Sequence, residues 1–302
     1  MKNKLTAIGS LFLCTVIWGS SFVSQSVGME HIGPFTFQAV RCALAVIVLI
    51  PVIFIADRFK TDHSSFLIRW ADKKLWKAGL LCGIPLFIAC NLQQLGIADD
   101  TDPGKSAFLT AMYIIIVPII TAFRGKKPTK WIPLCVILAV IGLYCLSCVG
   151  VTVIKTGDLL LLGCAFAFSI QIVFIEIYAP SIDPLRMNAI QALVCTLLSA
   201  IVMVFTEKTS ANSLLSCSLP LIHSGVFSMG IAYSLQIIGQ KHLESTASSL
   251  IMSLESVFAV LFDWIILKQS LTKWETIGCV LMFIAVILSQ IPDAPKKVKV
   301  SS

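Results

Sequence analysis

The chain has 302 residues, of which 57% are apolar and only 13% charged, with a mean hydropathy of +0.91 and a formal net charge of +7. A soluble domain carries about 25% charge, so water is excluded as the solvent for most of the surface. The basic excess lies in loops between apolar runs, which reads as membrane topology and excludes a nucleic-acid footprint.

Ten apolar runs follow in chain order, at residues 5–27, 35–56, 75–98, 104–123, 130–149, 157–178, 184–206, 219–239, 246–267 and 274–291. Each is about as long as a helix needs to cross ~30 Å of hydrocarbon, and none shows the ten-residue alternation of a membrane barrel. The expected fold is an all-α membrane protein with ten transmembrane helices, its partner the lipid bilayer. The first run follows Lys2 and Lys4 as a secretion signal would, but it is too long for one and has no small-x-small cleavage site. An even number of spans puts both termini on one side. Of the 23 Lys and Arg residues, 17 lie on that side, 5 on the other, and Arg41 sits inside the second span. The positive-inside rule then makes both termini cytoplasmic.

The tripeptide TKW occurs at 129–131 and again at 272–274, an offset of 143. The same offset lays LQQLG at 92–96 on LQIIG at 235–239 without a gap. The first two spans repeat at an offset of 150, LFLCTVIWGSSFV at 11–23 falling on LLGCAFAFSIQIV at 161–173 and Pro34 on Pro184. The difference falls in the loop between the second and third span of each unit, where insertions are cheap. The chain therefore divides into two five-helix repeats, 1–150 and 151–302. Five is odd, so the second copy crosses the membrane in the opposite sense, an arrangement suited to rocking about a site between the halves.

These motifs, with SAFLTAMYIIIVPII at 106–120 and ASSLIMSLESVFAVLFDWIIL at 247–267, resemble the ten-helix drug/metabolite transporter superfamily of the EamA type over essentially the whole chain. The resemblance implies a bacterial inner-membrane carrier for a small-molecule substrate, commonly an efflux protein for amino acids or related metabolites. It also implies a central cavity lined by helices 1, 3, 4, 6, 8 and 9. Many relatives carry Glu-Pro where this chain has Glu255-Ser256, and Gly-Glu where it has Lys268-Gln269, so no proline dictates a helix break at the first position. Asp263 stands where relatives usually have a small residue.

Ionised side chains at mid-membrane cost roughly 2.5–3.5 kcal/mol on insertion scales, so the few present should face the bundle interior. Arg41 lies about 10 Å and Glu255 about 13 Å from the ends of their spans at 1.5 Å per residue. Arg41 and Asp263 either pair or meet water separately, Arg41 by snorkelling. Glu255 is either a protonatable coupling site or a structural carboxyl hydrogen-bonded to neighbouring helices. Trp18, Ser20, Ser21, Gln93, Gln94, Tyr113, Gln171, Tyr233 and Gln236 are the uncharged candidates for a cavity, with Gln93 and Gln236 repeat equivalents on its opposite sides. Amides and aromatics suit a neutral or zwitterionic solute, and each of these side chains could equally serve a helix-to-helix hydrogen bond.

GKS at 104–106 lacks the glycine five positions earlier, where Asp99 stands, so no nucleotide site is expected. Cys145-x-x-Cys148 and the scattered histidines have no metal-ligand context, and neither a metal nor a cofactor is implied. The leading expectation is an alternating-access transporter and not an enzyme; an intramembrane enzyme would need a nucleophile with a base, or a metal cluster, at one depth, which the sequence does not offer, and a receptor or scaffold without transport is the other alternative.

Overall fold

The computed structural model describes residues 2–60, 65–99, 103–126, 129–147, 155–267 and 272–291. They form ten helical rods. These are α1 (Lys2–Met29), α2 (Pro34–Arg58), α3 (Lys73–Ala98), α4 in halves α4a (Pro103–Thr110) and α4b (Tyr113–Phe123), and α5 (Ile132–Ser147). The second set comprises α6 (Thr156–Tyr178), α7 (Pro184–Thr206), α8 (Ser218–Gln240), α9 in halves α9a (Ser245–Met252) and α9b (Glu255–Leu267), and α10 (Lys273–Ser289). Eight rods are apolar enough over 18 or more residues to cross a membrane, while α5 and α10 measure 16 and 17 residues. A short surface helix stands between the second and third rod of each set, Phe66–Trp70 in one and Ala211–Ser216 in the other.

The polarity is that of a bilayer protein. Ile47, Ile137, Leu197, Ile201 and Ile287 are more than half exposed, whereas Gln38, Gln94, Gln171, Asn188 and Gln191 are fully buried. Lipid satisfies no hydrogen bond, so polar groups collect inside and apolar ones face out. The packing exchanges the two sets: α2 lies on α7 and α5 on α10, while α3 on α6 is matched by α8 on α1, and α4b on α6 by α9b on α1.

Both broken rods break at equivalent places. Bonds to the third preceding residue interrupt the α pattern at Met112 N to Leu109 O and Ile114 N to Ala111 O, and again at Leu254 N to Ile251 O and Ser256 N to Ser253 O. No proline stands at either break. Ser256 Oγ donates to Ala107 O at 3.0 Å, so it stitches α9b to α4a while the rod still breaks.

Two clasps join α2 to α7 at opposite ends. Glu207, just past α7, accepts Phe35 N at 2.9 Å, Thr36 N at 2.8 Å and Thr36 Oγ1 at 2.6 Å, capping the amino end of α2. Asp57, 150 positions earlier, takes both terminal nitrogens of Arg186 near the amino end of α7, and forms an ion pair with Arg69 at 2.8 Å. Arg186 also lies over the rings of Phe66 and Trp70, at 5.6 and 5.5 Å. Asp183 caps α7 through Arg186 N at 3.0 Å and pairs with Lys60 at 2.5 Å. Burial pushes the Asp183 carboxyl up, but Lys60 and the Arg186 amide outweigh it and hold the group below the usual carboxylate range.

α5 and α10 touch backbone to backbone at Gly142 and Gly278. A Cβ added at Gly278 would sit 2.6 Å from Gly142 O and 2.9 Å from Leu146 N, neither able to swing aside, while one added at Gly9 meets nothing within 4 Å. Overpacking of this kind costs about 1–3 kcal/mol. Gly278→Val should therefore lower the melting temperature of the detergent-purified protein well below that of Gly9→Val; equal melting would show that the two rods do not meet as described.

Candidate functional site

A cavity with an empty volume of about 440 Å³ lies between the two sets of rods, at the level of their breaks. Seven of its lining residues come from α1 to α4b and seven from α6 to α9. Several are repeat equivalents, Trp18 with Phe168, Phe22 with Ile172 and Gln93 with Gln236, while Tyr113 and Glu255 begin the second halves of the two broken rods. The cavity thus straddles the relation between the two units.

Tyr113 and Glu255 are the first residues of α4b and α9b, and Tyr113 Oη donates to Glu255 Oε1 at 3.0 Å. The hydrogen bond closes the cavity across the two breaks. No Lys or Arg among the described residues pairs with Glu255. Trp18 and Tyr233 meet edge to face at 4.9 Å, linking α1 to α8 across another wall. Gln236 and Gln171 exchange hydrogen bonds at 3.2 and 3.4 Å, and Gln171 also donates to Gln191 at 3.4 Å. Gln93 donates only to Thr110, at 3.3 Å.

Of the sequence-derived candidates, Trp18, Ser21, Arg41, Gln93, Tyr113, Tyr233, Gln236 and Glu255 line this cavity, whereas Gln94 and Gln171 stand outside the lining. Gln94 turns instead to Met29, with Nε2 3.3 Å from its sulfur. Successive residues lie about 100° apart on a helix, so one of Gln93 and Gln94 had to face elsewhere. Gln171 serves as support to Gln236. Ser20 and Ser24 bond the ring of His223 at 3.2 and 3.0 Å, tying α1 to α8. Arg41 is 2% exposed and pairs with no carboxylate among the described residues; it donates to Gln38 and Gln25. The side chain of Asp263 lies outside the described residues, as do Lys268, Gln269 and Cys148. Lys105 of the GKS motif pairs with Asp158 at 2.6 Å.

Gln25, Ser228 and Met252 line the cavity without having been singled out in the sequence. Gln25 was recoverable, because it follows Trp18 and Ser21 at the spacing of one helical face. Ser228 was not, since α8 runs as a π-helix from His223 to Ala232, and the wider turn resets which residues face inward. Asn188 supports that irregular stretch by donating to Met229 O at 2.9 Å and Gly230 O at 3.0 Å.

An apolar ten-rod bundle with a cavity between its two sets of rods, lined by both polar and aromatic residues, is the architecture of a multi-pass membrane transporter. The family model of EamA-like transporters matches twice, over residues 5–148 and 155–290, and the chain belongs to that family. An uncharacterized transporter of Archaeoglobus fulgidus is 31% identical over 95% of this chain and 86% of its own. The uncharacterized transporter YoaV of Bacillus subtilis is 22% identical over 94% of this chain and 96% of its own. A crystal structure at 16% identity shares the fold with a TM-score of 0.77, over 94% of this chain and 96% of that one.

The two equivalent amides should respond unequally to truncation. Gln236→Ala leaves the buried Gln171 Oε1 without its donor, although Nε2 keeps Gln191, a loss of about 1–3 kcal/mol, whereas Gln93→Ala gives up a single long contact. The melting temperature should fall further for Gln236→Ala; the opposite order would mean that the glutamine cluster does not hold α6 to α8.

Proposed function

We propose that the chain is an alternating-access carrier that moves a small organic metabolite of amino-acid size outward across the bacterial cytoplasmic membrane, with both termini in the cytoplasm. The observation that carries the reading is the cavity built equally by residues of the two units, 1–150 and 151–302, at the level where α4 and α9 break. A site at the junction of two inverted halves can be opened to either side by rocking one half against the other. The seven-and-seven lining has no reason to arise in a receptor, and the cavity offers no nucleophile with a base as an enzyme would need. Counterflow in proteoliposomes tests it: a labelled solute should exchange across the membrane chemically unaltered. Conversion of the label to a new compound would place the protein among enzymes instead.

Glu255 is the carboxyl we assign to coupling with protons, because it is buried at the cavity wall and holds its hydrogen bond from Tyr113 without a cationic partner among the described residues. Glu255→Gln preserves shape but cannot titrate, so it should abolish accumulation driven by an imposed pH gradient while sparing exchange. A variant that responds to the gradient like wild type would remove Glu255 from the coupling role.

Topology is checked with thiols. The described native cysteines are buried or, at Cys279, partly so, and Cys217 is fully buried, so it cannot report the outer face. A cysteine placed at exposed Leu215 should react with an impermeant maleimide in intact cells, and one at exposed Ser65 should react only after lysis. Reaction of the second in sealed cells would invert the assignment.

A further inference from the structure

Arg41 is buried and makes no ion pair with a carboxylate among the described residues, although Glu255 lines the same cavity. Its Nε donates to Gln38 Oε1 at 2.6 Å and one terminal nitrogen to Gln25 Oε1 at 2.9 Å. Both acceptors are neutral amides, and they take two of the five N–H groups that a guanidinium offers. The Gln38 amide nitrogen is itself held by the sulfurs of Cys42 and Cys195, each at 3.1 Å, which turns its oxygen toward Arg41. The guanidinium is therefore oriented from two sides and left with donors to spare at the cavity wall.

Two more donors face the same cavity without a partner. Ser21 Oγ, on a residue 1% exposed, and the Trp18 indole Nε1 are buried and make no hydrogen bond. Trp18, Ser21 and Gln25 lie along one face of α1, so the unused donors stand in a column leading to the residue that holds Arg41. Buried donors without acceptors are costly, and a cation with spare N–H groups beside them is a receptor for a planar oxyanion.

The second unit supplies an internal control. Gln191 occupies the position equivalent to Arg41, and its Nε2 donates to Asn188 Oδ1 at 2.9 Å, just as Arg41 Nε donates to Gln38 three residues earlier. A glutamine thus serves at the equivalent position of the second unit, held by Asn188 and Gln171. The charge at Arg41 is present in one unit only.

We propose that Arg41, with Ser21 and Trp18, is the subsite that binds the carboxylate of the transported solute, so that the cargo class is carboxylate-bearing metabolites. A carboxylate suits the site better than a phosphate, because one guanidinium and two single donors match two oxygens sharing one charge. The assignment rests on the carrier reading for the word cargo, but it is tested by binding alone.

The experiment is a thermal-shift series on the full-length, detergent-purified protein. The probes are the twenty common amino acids and 3-phenylpropionate at millimolar concentration, L-leucinamide, L-phenylalaninamide and 3-phenylpropionamide as their uncharged-end counterparts, and inorganic phosphate. At least one carboxylate should raise the melting temperature by on the order of 2 °C or more, and its carboxamide should give no shift. Arg41→Gln, which copies Gln191, should fold and lose the shift. The proposal is overturned if no carboxylate shifts the wild type, if acid and amide act alike, if phosphate matches the best carboxylate, or if Arg41→Gln responds as wild type does. Should Arg41→Gln fail to fold, the acid and amide comparison on wild type still decides. Flux of a solute that lacks a carboxylate, undiminished in Arg41→Gln, would defeat this assignment and leave the carrier standing; carboxylate binding without flux would do the reverse.

Discussion

The structure depends on one constraint, that a hydrogen-bonding group placed in hydrocarbon has no water to fall back on and must be answered within the protein. Where the rods are regular the backbone answers itself. Where they are not, side chains from other rods step in: Ser256 reaches Ala107 O beside one break, and Asn188 takes two carbonyls of the π-helical stretch. The irregular backbone is confined to the interior, where such partners exist. The same irregularity makes room for the cavity, so the cavity and the network that surrounds it have a common origin.

The ends of the bundle obey a related rule. A helix terminus at the membrane boundary leaves amide groups unpaired, and a carboxylate is the natural partner for an amino end. Glu207 fills this role for α2 and Asp183 for α7, while Asp57, at the position equivalent to Glu207, holds the Arg186 side chain instead. The two units thus reuse one plan with different chemistry. Their likeness is one of geometry more than of residue type, as Tyr113 opposite Glu255 also shows.

The ten apolar rods were legible in the sequence because they rest on composition and run length, although only eight of them, among the described residues, reach 18 residues. The breaks were not legible: SAFLTAMYIII and SSLIMSLESVF read as continuous apolar helix, and the absence of proline after Glu255 pointed away from an interruption. Break position depends on contacts between rods that no local pattern records. The cavity was legible in part. Trp18, Gln93 and Gln236 fall on it because polar or aromatic side chains in lipid must turn inward, but that argument cannot tell Gln93 from Gln94, which differ only by the rotation of one rod. The partners of Arg41 show the same limit, since depth indicated that it must be satisfied and only packing shows that two glutamines hold it.

The π-helical turn of α8, from His223 to Ala232, has no counterpart in α3, its equivalent rod. Were the two units identical, exchanging their roles would turn an inward-open shape into an outward-open one of equal energy, and an empty molecule would visit both equally. A wide turn in one unit, with its own asparagine support, removes that degeneracy. In the alternating-access carrier proposed above, such an inequality would favour one orientation before any ligand binds.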